Sequence, residues 1–282
     1  MEALTLIGAP PLLSDNLFER VFAGTIQGLN RVLGTSYVVG KDRLRGPIGK
    51  MIAKVRQYHL EGNRYARDWE AFRIGIFAMQ MEKMSKTNPA VFSSFRRKVR
   101  KISTNEYFGY RFEVQIAMTL IEGEIPFEKC EAPDFEIRLD ERFSVFIECV
   151  STNLGQPRDR DVRYKISSAI AKKAKKPYCN KQTALFLDFT NVFYRSVEAR
   201  NVLNTDLVES MVIENARETS FGAVCACSMI NILDKKKYAL AFAAVYRAED
   251  ADPTFTAFLD NYFANLGSQF HVEVDHMVPY SM

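Results

Sequence analysis

The run from Tyr107 to Thr152, YFGYRFEVQIAMTLIEGEIPFEKCEAPDFEIRLDERFSVFIECVST, decides how the chain is read. Its first part spaces Phe112, Ile116, Met118 and Leu120 as an amphipathic helix stopped by Gly123, with Glu113 one position from the apolar face. A short strand, about Ile125 to Cys130, leads into a second from Asp134 to Leu139, where Phe135, Ile137 and Leu139 share a face. Asp140-Glu141-Arg142 makes a turn into a third strand, Phe143 to Val150. Val145, Phe146 and Ile147 are good β formers. Alternation puts Ser144, Phe146, Glu148 and Val150 on one face and Val145, Ile147 and Cys149 on the other. A carboxylate at the end of such a buried strand is costly unless something pairs with it. Asp134 and Glu148, on adjacent strands, would share a site. Their repulsion calls for a cation, and a hard divalent metal with oxygen ligands suits it.

Beyond this run, STNLGQPRDR (151–160) reads as a polar loop. A helix from Asp161 to Lys176 follows, with Val162, Ile166, Ala169 and Ile170 as its apolar stripe and Lys165, Lys172, Lys173, Lys175 and Lys176 around it. Ala184 to Thr190, nearly all apolar, reads as a central strand covered on both faces. A loop (191–204), a helix from Asp206 to Thr219, and strands at Gly222–Met229 and Tyr238–Tyr246 come next. A helix at Phe255–Phe263 and a strand near Phe270–Val274 close the chain. The order predicts an α/β fold with a mixed central sheet flanked by helices.

No strand pattern precedes residue 100. Residues 1–12 form an irregular arm. Ser14 caps a helix through Phe18, Val21, Phe22, Ile26 and Leu29, ended by Gly34. Pro47 opens a second helix to about His59. Residues 64–85 form a third, with Trp69, Phe72, Ile76 and Met79 inward. Asn88-Pro89 opens a fourth, which ends in the basic run 96–101. Residues 1–102 are therefore expected as a helical N-terminal domain and 103–282 as the α/β domain. Arg96, Arg97 and Lys98 suit either the negative end of a helix or contact with phosphates.

The chain has 282 residues, 47% hydrophobic and 26% charged, with a formal net charge of +4. These are the proportions of an ordinary globular protein. The mild positive charge carries less information than its clustering. No apolar run is long enough to cross a bilayer, and the N-terminus lacks the features of a secretory signal, so a cytoplasmic location and no membrane partner are expected. Five cysteines, an odd number, argue against a disulfide framework, and Cys225 and Cys227 read as buried free thiols. His271, Glu273 and Asp275 alternate on one strand face with His276 beside them, which reads as a polar edge strand before it reads as a metal cluster. There is no glycine-rich phosphate loop, no GxSxG elbow and no zinc-spaced CxxC pair.

Glu113, Pro133-Asp134-Phe135 and Phe146-Ile147-Glu148-Cys149-Val150, with the lysine-rich helix and apolar strand after them, resemble the PD-(D/E)XK nuclease superfamily. The resemblance implies a restriction-endonuclease-like core and a Mg²⁺ (or Mn²⁺)-dependent endonuclease acting on DNA in preference to RNA, in restriction, defence or mobile-element processing. It implies that Asp134 and Glu148 bind metal, that the Cys149 carbonyl joins them, and that Glu113 supports the site. The superfamily's lysine, two places after the Glu, is replaced here by Val150. Either a lysine of the next helix takes the role, Lys165 first and Lys172 or Lys173 next, or chemistry has been lost and the domain is a nucleic-acid- or protein-binding module. Lys172, Lys173 and the run 96–101 would then hold the backbone, as an electrostatic funnel for a polyanion. The N-terminal helices would contribute target selection or homodimer formation.

Overall fold

The computed structural model of the chain describes residues 13–38, 46–103, 106–152, 162–190, 205–232 and 237–263. Its described residues divide into two compact units, one within 13–114, the other within 115–232 and 238–263. No described helix is long and apolar enough to cross a membrane.

The helical unit holds α1 (Asp15–Leu33), α2 (Gly46–Leu60), α3 (Arg64–Thr87), α4 (Pro89–Val99) and the first half of α5 (Tyr107–Glu122). Phe18, Phe22, Ile26, Leu29 and Leu33 bury one stripe of α1, while Val21, expected inward, is 50% exposed. Gly34 ends α1 in the left-handed conformation, at φ 63°, that glycine adopts without strain. The α3 reading also needs correction: Ile76 is buried, but Met79 is 54% exposed. The buried line of α3 is Arg67, Glu70, Ile74, Phe77, Met81 and Met84. Because that line opens with two charged residues, hydrophobic periodicity shifted the expected face. The boundary between the units falls within α5, later than the expected 102/103, because Tyr107 and Tyr110 pack edge-on against Phe77. Tyr110 also packs against Phe95 and donates to its carbonyl at 3.2 Å.

Arg67 is the most deeply buried of the unit's described charged residues. It donates to Asp68 (2.7 Å), Asp15 (2.6 Å) and the Leu13 carbonyl (2.9 Å), and its guanidinium lies 4.0 Å from the Phe18 ring centre. Removing one member of a buried pair leaves the other uncompensated. Arg67→Ala is expected to cost the fold about 3–5 kcal/mol, read by chemical denaturation monitored by circular dichroism.

The α/β unit carries β1 (Glu128–Lys129), β2 (Phe135–Arg138), β3 (Ser144–Ser151), α6 (Val162–Ala174), β4 (Thr183–Asp188), α7 (Thr205–Arg217), β5 (Ala223–Ile232), β6 (Lys237–Arg247) and α8 (Pro253–Tyr262). The sheet has the order β1-β2-β3-β4-β5-β6. β1, β2 and β3 pair antiparallel, and β3, β4 and β5 pair parallel. The protein is thus mixed α/β. Asp140 Oδ1 accepts from the backbone of Arg142 (2.7 Å) and Phe143 (2.9 Å), which fixes the turn between β2 and β3.

Two crossovers, through α6 and α7, lay both helices on one face of the parallel strands. There Ile166, Ile170, Val208 and Val212 pack on Leu185, Leu187, Val224 and Ala226. On the other face Phe186 meets Phe263, just after α8. All six β4 residues are buried, as a central strand requires. Cys225 and Cys227 are buried free thiols, as expected, and burial pushes the Cys225 thiol up to about 12. The expected strand at 270–274, with His271, Glu273, Asp275 and His276, lies outside the described residues.

Candidate active site

Asp134 and Glu148 are brought together by strand register. The β2–β3 ladder pairs Phe135 with Ile147, so one step further Asp134 faces Glu148. Both residues are buried. Asp134 Oδ2 accepts the backbone N–H of Cys149 at 2.8 Å, which anchors the aspartate beside its partner. In an extended strand a residue's C=O points the same way as its N–H. The Cys149 carbonyl therefore lies on the Asp134 side of β3, while its side chain is buried.

The face of Glu148 follows from the parallel ladder. Glu148 pairs with Leu185, a residue of the core under α6 and α7. Glu148 therefore points to the helix-covered face, and Val150 packs against the same core. Lys173, in the last turn of α6, makes a short ion pair with Glu148 Oε1. Ile166, Ile170 and Lys173 follow the 4-then-3 spacing of one helix face, so the core stripe of α6 itself delivers the lysine.

The sequence favours Lys165 because it lies in the first turns of the helix, close to the strand ends if the loop 151–160 is compact. Glu148 instead meets the last turn of α6 through Lys173, and Lys165 lies eight residues back, about 12 Å along the helix axis. Lys172 is exposed.

Two further groups escaped the sequence reading. Lys129, on β1, donates to Asp134 Oδ1 at 3.0 Å and to the Cys130 carbonyl at 2.9 Å, with its ammonium 5.0 Å from the Phe135 ring centre. Tyr178, in the turn after α6, faces Glu148, and burial together with that carboxylate holds the phenol well above its ordinary pKa. The spacing of Glu128-Lys129 gave no signal, since a lysine on a short edge strand is ordinary.

Glu148 Oε2 is buried and makes no hydrogen bond of normal geometry. Burial, and then the charge of Asp134, raise the Glu148 pKa; Lys173 and Tyr178 oppose the shift without cancelling it. The folded chain thus holds the Glu148 proton more tightly than the unfolded chain does. Glu148→Gln is expected to stabilise the fold at neutral pH, because the partly exposed Lys173 can turn to water once its partner is neutral. The raised pKa also makes wild-type stability fall as pH climbs from the ordinary glutamate range through the raised one, because the folded state holds a proton that the unfolded state releases. Thermal melts of both proteins across that range test this: the gain from Glu148→Gln should grow as pH rises.

Among the described residues no group of three or more His, Cys, Asp or Glu side chains is placed to hold a metal. The site offers two carboxylates, one with an unsatisfied buried oxygen, and a backbone carbonyl. That is an all-oxygen set that fits Mg²⁺, which is commonly held by one or two carboxylates and keeps several waters.

In the helical unit Glu113 takes a bidentate ion pair from Lys98, at 2.7 and 2.8 Å. Arg96 donates to the Leu33 carbonyl at 2.9 Å; Arg100 donates to the same carbonyl and to that of Gly34 at 3.0 Å. These cations satisfy the carbonyl end of α1, where positive charge is favoured. Arg97 is exposed. At the far end of β4, Asp188 is buried and accepts from Ser151 Oγ (3.0 Å) and the Thr190 N–H (2.8 Å), which closes the strand ends without joining the carboxylate pair. Comparison of the chain with protein-family models, curated proteins and solved structures found no match.

Proposed function

We propose that the protein is a metal-dependent endonuclease of the PD-(D/E)XK kind, hydrolysing phosphodiester bonds in DNA. The observation that carries the reading is the placement of Asp134 opposite Glu148, with a lysine of the following helix on Glu148. The element order α5-β1-β2-β3-α6-β4 supports a restriction-endonuclease-like core. Asp134, Glu148 and the Cys149 carbonyl would hold Mg²⁺, which when bound supplies Lewis-acid stabilisation of the phosphate and a more acidic water. Lys173 would stabilise negative charge developing on the phosphate, the role that Val150 cannot fill. Tyr178 would hold the Glu148 carboxylate in place. Lys129 and the Cys149 N–H would orient Asp134. Arg97 and Lys172, both exposed, would contact the DNA backbone.

One observation favours a second reading. Each carboxylate already carries a lysine, so the four charges balance without a metal. A catalytically inactive DNA- or protein-binding module would have that arrangement. The two readings separate on incubation of purified protein with plasmid, linear DNA and RNA in Mg²⁺ or Mn²⁺, with and without EDTA. The nuclease reading expects DNA cleavage that EDTA abolishes. Salt-sensitive binding without cleavage would replace it with the binding module.

A further inference from the structure

Four charged side chains meet at the carboxylate pair, and they are not equally fixed. Lys129 is 6% exposed and is tied to Asp134, to the Cys130 carbonyl and to the face of Phe135. Lys173 is 20% exposed, sits on the last turn of its helix, and reaches Glu148 with the end of a flexible stem. Both oxygens of Asp134 accept hydrogen bonds, one from Lys129 and one from the Cys149 N–H. On Glu148, Oε1 belongs to Lys173 and Oε2 is the unsatisfied atom.

We propose that Lys173 is a displaceable counter-ion that competes with the divalent metal for Glu148, while Lys129 is a fixed one that keeps Asp134 in place. The proposal rests on the metal-site reading given above. Two carboxylates buried side by side repel each other, and the ammoniums offset that repulsion in the absence of metal. A divalent ion entering between them meets two positive charges already on its ligands. Coulomb repulsion at such short range in a partly buried site is strong. The cluster can release one of them at low cost. Lys129 is almost fully buried and held by Asp134, the Cys130 carbonyl and the Phe135 ring, whereas Lys173 is the more exposed of the two. Metal entry therefore moves Lys173 off Oε1, and its ammonium becomes available to an anionic phosphate. The resting ion pair lowers metal affinity, and it also stores the lysine at the place where it is needed.

The test is direct Mn²⁺ binding to the full chain without nucleic acid, read by the loss of the free-ion electron paramagnetic resonance signal. Lys173→Met, which removes the charge and keeps most of the bulk, is expected to bind Mn²⁺ about tenfold tighter than wild type or better. Lys173→Arg, which keeps the charge, is expected to bind as weakly as wild type. Glu148→Gln is expected to lose the site. Lys173→Met binding no tighter than wild type, with Glu148→Gln still losing the site, would overturn the competition and leave the metal site standing. Absence of Mn²⁺ binding in both wild type and Lys173→Met would overturn the metal-site reading and this proposal with it.

Discussion

Glu148→Gln and Asp134→Asn are each expected to lower metal-dependent DNA cleavage by at least about a thousandfold while the protein stays folded. A bound divalent ion contributes several kcal/mol of charge stabilisation, and each 1.4 kcal/mol is about tenfold in rate. Both substitutions keep the shape of the side chain and remove the charge that would hold the ion. They are expected to differ in stability. Glu148→Gln relieves a desolvated carboxylate with an unsatisfied oxygen and should melt higher than wild type. Asp134→Asn weakens the bonds from Lys129 and the Cys149 N–H and should melt lower. A protein that gains stability as it loses activity has had a functional strain removed, which a purely structural ion pair would not predict. Cleavage time courses with Mg²⁺ and Mn²⁺, paired with thermal melts, check both halves. Full cleavage in either variant removes that residue from the mechanism.

The second large effect separates two lysines of one helix. Lys173→Met is expected to reduce the cleavage rate about 100- to 1000-fold at saturating metal, the range for loss of one preorganised donor to developing charge. Lys165→Met is expected to stay within about threefold of wild type, because it lies about 12 Å further along α6. Lys173→Arg should recover part of the lost rate, since a guanidinium keeps the charge but not the point geometry. The reverse pattern, with Lys165 essential and Lys173 dispensable, would reassign the helix and with it the geometry of the site.

The two carboxylates were legible because period-2 alternation and one short turn fix their register. Once Asp140 closes the turn, Asp134 has to face Glu148. The face of Val150 was legible for the same reason. The lysine on Glu148 was legible only as a second choice after Lys165, because the sequence does not say which turn of α6 lies over Glu148. Lys129 was invisible because a charge on a two-residue edge strand carries no pattern. The buried face of α3 was misplaced because Arg67 and Glu70 count as polar in any periodicity, although both are buried in ion pairs. The basic run 96–101 divides in the structure, since Arg96, Lys98 and Arg100 have internal partners that sequence cannot reveal.

The most direct measurement is the anomalous signal of Mn²⁺ in crystals of the full chain. The account predicts a peak between the Asp134 and Glu148 carboxylates, within bonding distance of the Cys149 carbonyl, with the Lys173 ammonium moved off Oε1. A Mn²⁺-soaked crystal with no peak there and Lys173 still paired to Glu148 would contradict it.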